Sequence, residues 1–388
     1  MSSVTFSGRD PFAGGALRVD TRDGIVTGVE PVAPLPDMAW LAPGLVDLQV
    51  NGFGGLDLND DALTPATVSA LCRKLAAEGV TRFLPTIITA LEPAILAAVS
   101  AIARAVAGDP LAARMVAGIH VEGPFLSPQD GPRGAHRLEC IRDADPAEIA
   151  RWQAAADGLI RIITIAPEVP GAIETIRAAT AMGIRVSLGH SAATAGQIHL
   201  AADAGATLST HLGNGCAATL PRHPNMIWAQ LADDRLTASF ITDGHHLPAD
   251  TVKAMLRAKG PQNAVLVSDS VALAGLPAGK YCTPVGGAVE ILPSGRVAMA
   301  GTSFLAGSGD PLRRCVARAA RMTGLPLGEC LAMASIRAAA AIGLPGGLVP
   351  GARADLILFD WAEGDDSLAL RQTVLAGEVV FSDGGRAA

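Results

Sequence analysis

The stretch "GIHVEGPFLSPQDGPRGAHR", residues 118–137, begins as a short apolar run, reaches Glu122, and leaves through Gly123-Pro124 into a loop studded with glycine and proline. A β-branched run broken by Gly-Pro reads as a buried strand that stops on its acid. An acid at that address needs a reason, and the rest of the chain repeats the pattern. Eight such runs are present: "GLVDLQV" ending near Val50, "VTRFLPT" near Thr86, "MVAGIHV" near Val121, "LIRIITI" near Ile165, "IRVSLGH" near His190, "ATLSTHL" near Leu212, "TASFITD" near Asp243 and "AVLVSDS" near Ser270. Between them lie alanine-rich segments with apolar residues at three- and four-residue intervals, which predict helices over 65–78, 172–182, 193–204 and 248–259. Strands alternating with helices imply a parallel sheet with crossover connections. Eight units suggest a closed (β/α)8 TIM-type barrel; a doubly wound open sheet shares the same alternation.

The polar residues favour the barrel. Gln49, Asn51, Glu122, His190, His211, Asp243 and Asp269 all fall at or just past the end of an expected strand. A β/α barrel assembles its active site at that face. The histidines agree, because all eight lie between His120 and His246 and none lies in the terminal regions.

Both ends of the chain have a different texture. Residues 1–43 and 345–388 read as short strands and turns, and together predict one small β-sandwich domain beside a catalytic barrel over 44–344. Within 276–302, alternating strands around Pro293-Ser294-Gly295 predict a hairpin leading back to the barrel.

Composition excludes several classes. The chain has 388 residues, 49% of them hydrophobic, and its apolar runs, such as "AILAAVSAIA", fall short of a membrane span. No targeting signal is visible at the start, so the cytoplasm is the expected location. Six scattered cysteines without a CxxC pair argue against a disulfide framework and against a thiolate zinc site. A formal charge of -7 with no basic run offers nothing for nucleic acid, which leaves a small molecule as the expected partner.

A carboxylate at one strand end and imidazoles at two later ones supply oxygen and nitrogen ligands for one divalent metal. Glu122, His190 and His211 are the candidates, and three protein ligands leave a position for water. Asp269, ending the last strand, is placed to take that water's proton. Singly, each of these reads as a cap, a core histidine or a solvated loop acid; their shared address makes the metal site the better reading.

"APGLVDLQVNGFGG", "HVEGPFLSP" followed by "GAH", "SLGHS", "STHL", "ITDGHH", "LVSDS" and "AGTSFLAGS" resemble, in order and spacing, the N-acetylglucosamine-6-phosphate deacetylase family of the amidohydrolase superfamily. "GGLVPGARADLILFD" is similar to the superfamily's return into its small β domain. The resemblance covers nearly the whole chain. It implies a β/α barrel with a small β-sandwich, usually homodimeric, that hydrolyses the sugar's acetamide to acetate and glucosamine 6-phosphate. Glu122, His190 and His211 match the metal ligands and Asp269 the catalytic aspartate. His136 matches a residue near the acetamide and His246 a substrate contact. Asn214 and Arg222 correspond to the phosphate end of the pocket, and Gly215, beside Asn214, is expected among the substrate-binding residues. One divalent metal per subunit is expected, zinc first, with iron, manganese or cobalt as alternatives.

Two departures stand out. Many amidohydrolases carry His-x-His at the end of the first strand, where this chain has Gln49 and Asn51, a vestigial second metal position. Some members of this deacetylase family show Gln-x-Asn there as well. After His211, "LGNGCAATLPRHPNM" replaces the family's usual loop, so Arg222 reads either as a phosphate contact or as a surface arginine on an interface loop. His223 reads as its neighbour and His199 as a solvent-facing helix residue. His120 and His245 are open between structural and catalytic roles. The competing readings are a deacetylase for N-acetylgalactosamine 6-phosphate or an unphosphorylated sugar, and a non-catalytic sugar-binding relative. A cyclic-amide hydrolase with a bridging lysine is disfavoured, because "RIITIAPE" offers no lysine.

Overall fold

The structure is a computed structural model and describes residues 3–283, 287–302 and 305–384. Eight parallel strands form one sheet with neighbours in chain order: β1 (Leu45–Val50), β2 (Val80–Ile88), β3 (Ile119–Glu122), β4 (Ile160–Ile165), β5 (Arg185–Leu188), β6 (Ala206–Ser209), β7 (Thr237–Ile241) and β8 (Ala264–Val267). A parallel bridge between Val50 and Ser270 closes the ring. The backbone amides of Asn51 and Gly52 reinforce it by donating to the Ser270 carbonyl. The fold is therefore the (β/α)8 barrel.

Alternation along the strands divides the core into two shells. Ile163, Ile165, Val121 and Phe83 pack outward against the helices. Val46, Leu48, Ile162, Leu208, Val265 and Val267 form a second cluster with Ala338, Ala339 and Ile342. Strands covered on both faces account for the nearly unbroken apolar runs in the sequence, and all six residues of β1 are buried.

The expected helices appear as Pro65–Ala77, Ala172–Ala181, Ala195–Asp203 and Ala249–Lys259. Two of them start on side chains that satisfy free N-terminal amides. Thr64 accepts from the amide of Thr67, and Thr194 with Gln197 forms a reciprocal capping box. Helices Leu312–Thr323, Leu327–Met333 and Ile336–Ala341, which the sequence reading did not single out, follow the last barrel strand.

The two ends meet in a seven-stranded sheet. Its order runs Glu378–Ser382, Ala369–Leu375, Leu356–Asp360, Trp40–Pro43, Ser3–Arg9, Ala16–Arg22, Ile25–Val32. Trp40–Pro43 pairs antiparallel with Leu356–Asp360, and Trp40 Nε1 donates to the Trp361 carbonyl at 2.9 Å. A bridge from Ile25 to Arg353 brings the far edge back, and Phe6, Val19, Val26, Leu41, Leu356 and Val374 fill the space enclosed.

The segment expected as a hairpin is a three-stranded antiparallel meander of Gly279–Thr283, Gly287–Ile291 and Val297–Met299. Residues 284–286 of that segment, and 303–304 of "AGTSFLAGS", lie outside the described residues. No described helix is long and apolar enough to cross a membrane.

Candidate active site

Glu122 is the last residue of β3, while His190, His211 and Asp269 each stand two residues beyond their strands. All three of these have left-handed backbones, with φ of 50°, 30° and 49°. Few non-glycine residues adopt that conformation, although Asp and His do so more readily than most, and such strain concentrates at functional sites. The turn must be tight at Gly189 too, where a Cβ would lie 2.8 Å from that of Thr210.

The side chains converge. Glu122 Oε1 lies 3.1 Å from His211 Nε2 and 3.4 Å from His190 Nε2, and the two imidazole nitrogens are 3.1 Å apart. A tetrahedral zinc ion with ligands at 2.0–2.1 Å has edges of roughly 3.3 Å. The triangle fits such an ion. His190 Nδ1 is 2.9 Å from the Pro132 carbonyl, which can only accept, so Nδ1 carries a proton and Nε2 is the ring atom left to face a cation. His136 joins the group: its Nε2 is 3.2 Å from His190 Nε2, and ligand atoms of Glu122, His136 and His190 all lie within 4.8 Å of one another. His136 Nδ1 meets the Thr89 hydroxyl at 2.8 Å. That hydroxyl can donate or accept, so His136 Nε2 is free either to ligate or to carry a proton toward a substrate oxygen.

Burial by itself would push the Glu122 carboxyl up, but hydrogen bonds and charge from His190 and His211 hold it well below the usual carboxylate range. Burial would push His211 down, and the Glu122 carboxylate raises it instead. For His136 the pull of Glu122 is outweighed: burial and then His190 lower it to about 3. Asp269 moves the other way, raised to about 6 by burial and then by the charge of Glu122.

Gln49 and Asn51 occupy the place of the His-x-His pair and do a different job. Gln49 Nε2 donates to Glu122 Oε1 at 2.9 Å, and Asn51 Nδ2 donates to Asp269 Oδ1 at 2.8 Å. Each amide thus steadies one buried carboxylate.

The remaining sequence candidates separate. Gly215 packs on the metal-site side of its loop, where a Cβ would lie 2.8 Å from His190 Nδ1. Asn214 turns its side chain back to the His211 carbonyl at 3.1 Å. Arg222 is exposed and, like its neighbour His223, stands on the loop before the helix Met226–Ala232. His246 Nδ1 is 2.7 Å from Asp243 Oδ2, whereas His245 faces away, with Nε2 3.2 Å from the Ser294 carbonyl. His120 lies beneath Glu122, between the Leu48 carbonyl and the Thr164 hydroxyl, and burial lowers it to about 4. His199 is on the surface, 3.5 Å from Asp233. Sequence reasoning missed Thr89, the Pro132 carbonyl and the pairing of Asp243 with His246. Only Asp243 carried a signal, its strand-end position.

A buried carboxylate, three convergent imidazoles and a second carboxylate at the mouth of a barrel make a candidate metal cluster, with donors of the type hydrolytic sites use. The sequence profile of the amidohydrolase family matches residues 40–380. The chain belongs to the amidohydrolase family. This amidohydrolase is 36% identical over 347 residues to N-acetylgalactosamine-6-phosphate deacetylase of Escherichia coli O157:H7, covering 87% of this chain and 89% of that one. It is also 36% identical to the N-acetylglucosamine-6-phosphate deacetylase of Bos taurus, covering 88% and 83% respectively. Among solved structures it resembles an aspartate-to-alanine variant of N-acetyl-D-glucosamine-6-phosphate deacetylase from Mycobacterium smegmatis in complex with N-acetyl-D-glucosamine-6-phosphate. That match has a TM-score of 0.88 at 30% identity and covers 98% of this chain and 100% of the other. The amidohydrolase is a hydrolase with a candidate metal cluster, and its relatives act on phosphorylated amino sugars.

Proposed function

We propose that this amidohydrolase removes the acetyl group from N-acetylglucosamine 6-phosphate, giving glucosamine 6-phosphate and acetate. The observation that carries the reading is the triangle of Glu122, His190 and His211, which would hold one divalent ion, zinc first because a carboxylate with two imidazoles suits it. A cation bound there supplies Lewis acidity and a water of lowered pKa. Asp269 accepts a proton from the attacking water and, once protonated, returns it to the amine nitrogen as the C–N bond breaks. The second transfer matters because an unprotonated amine leaves poorly. His136 keeps one ring proton in its neutral state and directs it to the carbonyl oxygen as negative charge develops. His246 contacts the sugar, and Arg222, with Asn214 and Gly215 on the same loop, faces the phosphate, for which a guanidinium is geometrically suited. A homodimer in the cytoplasm would let the Arg222 loop work at a subunit boundary.

A second reading, the galactosamine epimer, is favoured by the relative from E. coli O157:H7 and by the altered loop after His211. Acetate release, with metal content measured on the same samples, decides between the two. The substrates to compare are N-acetylglucosamine 6-phosphate, N-acetylgalactosamine 6-phosphate and unphosphorylated N-acetylglucosamine. Preference for the first supports the proposal, while equal or faster turnover of another sugar moves the assignment. Absence of turnover by metal-loaded protein on all three defeats both readings.

A further inference from the structure

His246 and Asp243 form a pair of which the reaction scheme above uses only His246, as a sugar contact. Asp243 stands two residues past β7 and is 2% exposed. Its Oδ1 accepts from the backbone amides of His245 and His246 at 2.8 and 2.9 Å, which fixes the turn that carries both histidines. Its Oδ2 accepts a hydrogen bond from His246 Nδ1 at 2.7 Å. From outside the turn, Arg318 of the helix Leu312–Thr323 donates to the Asp243 carbonyl and to Asp310, and its other nitrogens grip Asp366. Asp243 is therefore tied at its carboxylate, at its carbonyl and through its turn.

We infer that Asp243 is the positioning residue for His246: it holds the ring to one tautomer, with Nδ1 protonated and Nε2 presented to the substrate. Burial would raise the Asp243 carboxyl, but the His246 ring and the two backbone amides hold it well below the ordinary range, so it stays an acceptor at neutral pH. An ionised carboxylate accepts hydrogen bonds and never donates one. With Nδ1 given to that carboxylate, the neutral form of the His246 ring has its lone pair at Nε2, suited to receive a sugar hydroxyl. Exchanging the carboxylate for an amide puts an N–H donor against Nδ1 and moves the ring proton to Nε2, where the same hydroxyl meets a donor. Arg318 holds the backbone of the turn, so the aim of the ring survives that exchange even though its tautomer does not.

The inference rests on the reading of His246 as a substrate contact, and the test separates the two. Single variants Asp243→Asn and His246→Ala, and the double variant, are compared in kcat/KM for acetate release, with metal content and thermal midpoint measured for each. Asp243→Asn is expected to lose about 10- to 100-fold, by analogy with losing the hydrogen-bond partner of a metal-bound imidazole, with metal content unchanged. In the His246→Ala background the same change is expected to cost nothing further, because its effect passes through the ring. An undiminished second loss, or full activity in Asp243→Asn, overturns the positioning role. Wild-type activity in His246→Ala sinks the substrate contact instead. Nitrogen-15 spectra of histidine-labelled wild-type protein give an independent readout that needs no turnover: His246 is expected to show its proton on Nδ1, and a proton on Nε2 alone defeats the inference.

Discussion

Replacing Asp269 with asparagine isolates the proton-transfer step. The amide fills the same volume and can still accept from Asn51 Nδ2, so the local hydrogen bond survives. Removing one charge also relieves the repulsion with Glu122 that helps raise the Asp269 carboxyl to about 6. The triangle of Glu122, His190 and His211 is untouched, and metal content is expected to remain at the wild-type level. What disappears is a group able to take a proton and give it back. General acid and base catalysis contributes about 10²- to 10⁴-fold, and at 1.36 kcal/mol per decade that is about 3–5 kcal/mol of barrier. The same group sets a pH profile. The base acts only when ionised, so activity falls as pH drops through its pKa; for a pKa of about 6, roughly a tenth of the carboxyl is ionised at pH 5, so kcat/KM falls by up to about tenfold there. A divalent cation beside Asp269 would draw that limb to lower pH, which places it at or below about 6 in the metal-loaded enzyme. Acetate release across pH 4.5–8, with metal analysis of both proteins, reads all three quantities. Turnover within about threefold of wild type in a fully metallated Asn variant would refute the reasoning, as would an unchanged acid limb.

Two further substitutions probe the metal triangle. Glu122→Gln keeps an oxygen for the Gln49 contact but removes the charge, and is expected to yield protein that loses its ion on dialysis; a stoichiometric metal content would contradict the ligand assignment. Gly215→Ala puts a methyl 2.8 Å from His190 Nδ1 on a backbone with φ of 56°. The left-handed conformation costs roughly 1–2 kcal/mol, and the ring must yield by about half an ångström, so metal affinity is expected to fall about tenfold. Equilibrium metal titration and denaturant unfolding that both match the wild type would show the contact to be harmless.

The sequence exposed the barrel because its strands are covered on both faces and its helices on one, so each element left its own periodicity. Strand ends were placed less well. The reading ran β5 on to His190 and β6 to Leu212, whereas the strands stop at Leu188 and Ser209, because the chain turns left-handed just where the candidate site residues begin. Glu122, His190, His211 and Asp269 were legible as one group through their address alone. The hydrogen bonds that orient them were not. Gln49 reaches Glu122 across 73 positions and Asn51 reaches Asp269 across 218, distances over which no local pattern carries information. The helices between 312 and 341 lacked the strand partner that marks the barrel repeats, and the sequence reading passed over them.

The pairing of Trp40–Pro43 with Leu356–Asp360 has a bearing on how the chain is made. During synthesis the opening strands leave the ribosome long before their neighbour exists, and Trp40 waits for a partner 321 positions away. The parallel barrel, assembled from successive units, can begin to form in the interval, while the Trp40 edge stays open to chance pairing with other nascent chains. Leu356–Asp360, made long afterwards, is thus the strand that covers the Trp40–Pro43 edge.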